Sequence, residues 1–254
     1  MDAQQHVVGS TFRQLAFALA KNEGRSVMLS VHGNRGIGGV FIDEGRIAWA
    51  AAPGTRRFLS DRLVAAGADH GAMRELLTTA RDTRTPLGRL VVQRGLMGPG
   101  DFAAVLQEHT VVSLGEMASQ RLGHIDTQER RGGTFAMADT FAMVPLLAES
   151  VRRFVPSRLV AEELPDPEMQ AVEVAVVDGT ALPVRVLGKQ APRLSSLISL
   201  IGEAQVVMEH AGEGTVSFRR GARCWSVSGN QSSFVVSEGR SALSFSWMLG
   251  QSGL

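Results

Sequence analysis

Cysteine occurs once, at Cys224, so no disulfide can close within the chain, and a lone thiol fits a reducing compartment. Tyrosine is absent. An excess of charge of either sign is missing as well: 26 Lys plus Arg stand against 25 Asp plus Glu, a net charge of +1. That balance gives no global field to attract nucleic acid or an anionic membrane, so neither is expected as a partner. No stretch approaches the roughly 20 apolar residues that a membrane-spanning helix requires. The first residues, MDAQQHVVGSTFRQ, carry an acid and amides where a signal peptide has a basic start and an apolar run. A soluble, cytoplasmic protein is expected.

What is present is ordinary globular material. Hydrophobic residues make up 44% of the 254 and charged residues 20%, enough to bury a core in one large domain or two small ones. Phe12, Leu15, Ala16 and Leu19 recur at helical spacing behind Ser10 and Thr11, and Gly24 is a natural stop. Val27, Leu29 and Val31 then alternate in the strand period. The cluster Gly33–Gly39 reads as a turn, followed by strands at 40–42 and, after Asp43-Glu44-Gly45, at 47–50. This is a three-stranded antiparallel meander. Helices are expected from Thr55 to Gly67 and over 69–80, 86–94 and 100–120. A return strand is expected at Gly132–Ala138 and a closing helix at Pro145–Phe154.

Residues 156–167 are rich in proline and acids and form the expected linker between domains at 8–155 and 168–254. Beyond it, strands at 171–177 and 181–187 flank Asp178-Gly179, a strong hairpin signal. Leu194, Leu197, Ile198, Ile201 and Met208 mark one face of a helix from Pro192 to about His210. Strands follow at 215–219, 223–228 and 233–237, with a short helix expected at 242–249. The class is α+β: a helix, a strand meander and a helical hairpin, followed by a small two-layer α/β domain.

Four segments of the first part resemble the bacterial PATAN family. They are RQLAFALAKNEGRSVMLSV, VFIDEGRIAWA at 40–50, the stretch Leu87–His109, and Val144–Phe154 with Leu146, Leu147, Glu149, Arg152 and Arg153. The resemblance implies an interaction module of bacterial signalling proteins without catalytic residues. The second part is similar to the roadblock (dynein light chain-like) superfamily in its hairpin, single long helix and three-strand meander. That resemblance implies dimerisation through sheet edge and helix, and partnership with small Ras-like GTPases.

No constellation for catalysis emerges. The glycines at 33, 36, 38 and 39 lead into a strand, whereas a phosphate loop leads into a helix N-terminus, and the lysine of a P-loop is missing. The six histidines show no HxxxH pair and none adjoins Cys224, so spacing predicts no metal site. Cys224 beside Trp225 reads as a small core residue, and no G-x-S-x-G elbow occurs. The hairpin LGRLVVQRGLMGPGDFAAVLQEH is similar to the cyclic-di-GMP-binding domain of secretion and pilus ATPases. It departs at Pro86 and His109, and Arg84, Arg89 and Arg94 are its nearby cations. Residues 100–110 contain no Lys or Arg, which argues against a DNA-reading helix.

The sequence therefore points to a non-enzymatic signalling adaptor without cofactor, homodimeric through its C-terminal domain. Expected partners are a small GTPase, a receiver protein or a kinase component. Arg35, Ile37, Asp43, Arg46 and Trp49 are the expected contacts in the first part, and Val216 and Phe218 in the second. The alternative is a cyclic-dinucleotide sensor using Arg84, Arg89 and Arg94.

Overall fold

The computed structural model describes residues 2–55, 58–83, 85, 87–133, 135, 139–154, 170–177, 179–187, 193–220, 223–231 and 233–239. In chain order the elements are α1 (Asp2–Lys21), β1 (Val27–Gly33), β2 (Gly36–Asp43), β3 (Arg46–Ala51), α2 (Phe58–Ala65), α3 (His70–Thr83), α4 (Leu87–Gln93) and α5 (Pro99–Ala118). Then come β4 (Leu122–Glu129), α6 (Met143–Phe154), β5 (Gln170–Val177), β6 (Thr180–Leu187), α7 (Leu194–Ala211), β7 (Glu213–Arg220), β8 (Arg223–Asn230) and β9 (Ser233–Gly239). The class is α+β, with two sheets. Among the described residues, no helix is long and apolar enough to cross a membrane.

The chain divides into two compact units, and the division departs from the expected 8–155 and 168–254. One unit comprises residues 1–24, 118–122 and 142–254; the other comprises 25–117 and 123–141. The opening and closing helices of the first half thus belong with the C-terminal sheet. The expected linker at 156–167 and the expected helix at 242–249 lie outside the described residues.

In the unit of 25–117 and 123–141 the sheet order is β3-β2-β1-β4. Val27, Leu29, Val31, Val40, Ile42, Ala48 and Ala50 are all fully buried. The turn between β2 and β3 places Glu44 at φ 48° and Gly45 at φ 80°. Two consecutive left-handed residues make the turn whose twist suits a two-residue hairpin. The expected turn cluster at Gly33–Gly39 shrinks to Asn34 and Arg35, because Gly36, Gly38 and Gly39 already pair with β1. A Cβ on Gly38 would lie 2.3 Å from the Met117 sulfur, and one on Gly39 2.6 Å from the Met28 methyl, so these glycines admit side chains packed over the strand. The fourth strand of this sheet is β4; of the return strand expected at 132–138, Gly132, Gly133 and Phe135 lie in a loop, and the other positions lie outside the described residues. Leu63, Met73, Leu76, Val91, Phe102 and Leu106 form the core of the helices.

In the other unit the order is β6-β5-β9-β8-β7, so the meander β7-β8-β9 docks through β9 against the hairpin β5-β6. Helix α7 packs on β6, β7 and β8, while α6 packs along β6 and α1 contacts α6, α7, β5 and β6. Phe12, Leu15, Ala16 and Leu19 of α1 are buried, the face expected from their spacing. Glu23, just beyond α1, caps α7: its carboxylate accepts the Leu194 amide at 2.9 Å and the Ser195 amide at 3.2 Å. The Ser195 hydroxyl donates to it at 2.5 Å. Arg193, at the N-cap position itself, makes no side-chain cap.

Candidate functional site

One large cavity is lined from the sheet by Met28, Ser30, Gly39 and Trp49, and Phe41 stands in register between Met28 and Trp49. Phe41 stacks on Trp49 with ring centroids 6.5 Å apart and meets Phe135 edge-on at 5.1 Å. The helical hairpin α4–α5 supplies Leu87, Gly88, Val92, Phe102 and Leu106 to the same cavity, whose volume is about 1390 Å³. Gly88 brings the two helices of the hairpin together: a Cβ there would meet the Phe102 ring at 2.4 Å. Gly88 and Phe102, both in the hairpin singled out from sequence, are therefore contact partners.

Polar groups on the cavity wall are few, among them Ser30, Arg81, Arg89, Gln93 and His109. His109 is 2% exposed, and its Nδ1 finds no hydrogen-bond partner among the described residues. Burial, and after it the charge of Arg62, pushes its pKa down to about 4, so the imidazole is neutral at pH 7. A neutral imidazole in an apolar wall can donate or accept one hydrogen bond from a guest.

The expected contact residues separate. Arg35 sits exposed in the β1–β2 turn, 3.9 Å from Glu116, and Ile37 is 48% exposed. Asp43 is instead buried and engaged within the fold. Its carboxylate accepts the Ser26 hydroxyl at 3.0 Å and the amides of Gly133 at 3.0 Å and Phe135 at 2.8 Å. Arg46 is likewise held, donating to the Thr140 hydroxyl at 2.9 Å and to the Thr140 carbonyl at 2.7 Å. Both residues anchor the segment after β4, and neither presents a free charged group to a partner. Trp49 is half-buried and packs against the helical core. Of the three arginines expected at a nucleotide, Arg89 lines the cavity, Arg94 lies exposed just past α4 and is not in its wall, and Arg84 lies outside the described residues.

One group escaped the sequence reading. His32 on β1 and His124 and Asp126 on β4 converge, although spacing predicted no metal site. The His32 Nε2 lies 3.0 Å and the His124 Nε2 3.2 Å from the same Asp126 Oδ2. The signal available was His124-x-Asp126, two residues on one side of a strand; what was missing was that β4 lies beside β1.

In the other unit, Val216 and Phe218 stand on β7 opposite Val227 and Trp225 of β8. β7 is an end strand, and Ser217 at its middle is exposed.

No family model, curated protein or solved structure matches this chain.

Proposed function

We propose that this chain is a non-enzymatic signalling adaptor that self-associates and binds a protein partner through its five-stranded unit. The observation that carries this reading is the asymmetry of the sheet edges. β6, at one end, has α6 packed along it. β7, at the other end, pairs with no further strand among the described residues. An unpaired strand edge offers a row of backbone donors and acceptors, and a second copy or a partner strand satisfies it by β-addition. The order of hairpin, single helix and meander also fits the roadblock resemblance, which implies the same mode of pairing and a small Ras-like GTPase as partner class. The test is light scattering on the full chain at micromolar concentration. A dimer is expected, and Ser217→Lys, which puts a charge at the middle of the edge, should shift it toward monomer without lowering the melting temperature. A monomer at all concentrations would remove the support for edge pairing.

A second reading, a small-molecule sensor, is favoured by one specific observation: the α4–α5 hairpin lines a cavity. The chemistry of that wall is mostly apolar, and a cyclic dinucleotide carries two phosphates that need cations. Calorimetry with cyclic-di-GMP decides: saturable heat that Arg89→Ala abolishes supports the sensor, and no heat removes it.

A further inference from the structure

We infer that His32, His124 and Asp126 form a binding site for a divalent transition-metal ion of the zinc class, and that the ion clips the edge strand β4 to β1. Three observations carry this. The first is convergence: one ligand atom from each residue lies within 4.8 Å of the other two. Ligands held about 2.0–2.2 Å from a tetrahedral ion stand roughly 3.3–3.6 Å from one another. The two Nε2-to-Oδ2 separations, 3.0 and 3.2 Å, therefore need only a small outward movement to admit an ion between them. The rings themselves are stacked, 4.0 Å between centroids at 15°, and must splay as they turn their nitrogens inward. The exposure of His124 and Asp126 leaves them room to do so.

The second observation is the donor set. Two imidazole nitrogens and one carboxylate oxygen suit Zn²⁺, Ni²⁺, Co²⁺ or Cu²⁺; Ca²⁺ and Mg²⁺ prefer all-oxygen cages. Three protein ligands leave a coordination position open toward solvent for water. The ligands also sit on paired strands, where the backbone fixes their spacing better than a loop would.

The third is the poverty of β4. Only Leu122 and Ile125 of its eight residues are even half-buried, and the rest are exposed. So little apolar burial leaves the strand held by its backbone pairing and by polar cross-links, His32–Asp126 and Arg25–Glu129, to which a metal bridging β4 to β1 would add.

The experiment uses tag-free full-length protein stripped with chelator, titrated with Zn²⁺ by calorimetry and with Co²⁺ by visible absorption. Saturation at a single site is expected, with a Co²⁺ spectrum of nitrogen and oxygen ligation. Added Zn²⁺ should raise the melting temperature and slow hydrogen exchange over 122–129. His124→Ala and Asp126→Asn, both at exposed positions, should each weaken binding by about tenfold or more, while His70→Ala leaves it unchanged. Absence of saturable binding, or binding that survives both substitutions, would overturn the assignment. Such a result would leave the cluster a pair of histidines hydrogen-bonded to one aspartate.

Discussion

His109 lies in α5 with its side chain nearly sealed from solvent and its ring neutral, so its charge has no place in the folded state. In the unfolded chain the same imidazole titrates near 6.5, and in the fold near 4. Between those values the unfolded chain binds more protons, so stability rises with pH there. The contribution is complete above about pH 6.5 and is lost as pH falls toward 4, a total of about 3 kcal/mol. Urea unfolding across that window should show the slope, and His109→Leu should flatten it. An unchanged slope in the variant would mean that other groups set the acid sensitivity. Nothing in the sequence around His109 announces this, and the cation that adds to the effect, Arg62, lies in α2, well earlier in the chain. The same holds for Asp43, which sits in an obvious turn yet spends its carboxylate on amides of a loop some ninety residues on.

At the scale of elements, most helices and hairpins were legible because their causes are local. The apolar period of α1, the Asp178-Gly179 signal between β5 and β6, and the alternation of β1 lie in a few neighbouring residues. β4 was not legible: LGHIDTQE has no alternating apolar side, since a strand that buries little needs none. The glycine-rich start of β2 was read as a turn because its small residues serve packing from above, which a local reading cannot see. The cap on α7 is another non-local device. Arg193 offers no side-chain acceptor, and Glu23, from the other end of the chain, takes that role. A carboxylate at a helix N-terminus satisfies free amides and complements the helix dipole. Glu23→Ala should therefore lower stability by about 1 kcal/mol in chemical denaturation. A neutral result would indicate that water replaces the carboxylate without loss.

At the scale of the whole molecule, the two units are built from chain segments that do not follow one another. A division read from composition falls in the proline-rich stretch at 156–167, but α1 and α6 pack with the sheet of the C-terminal half. Sequence alone reads proximity along the chain, and the return of residues 1–24 to a distant sheet has no local signature. Of the residues expected to meet a partner, Arg35 and Ile37 are exposed, whereas Asp43 is buried and half-buried Arg46 is held by Thr140, engagements that no local pattern announces. The adaptor reading rests most heavily on the β7 edge. Hydrogen exchange followed by mass spectrometry, on full-length protein at low and at high concentration, tests that edge most directly. Amides of Glu213–Arg220 are expected to gain protection as concentration rises, while those of the interior strand β5 do not change. Exchange over β7 that is equally fast at every concentration would contradict edge pairing.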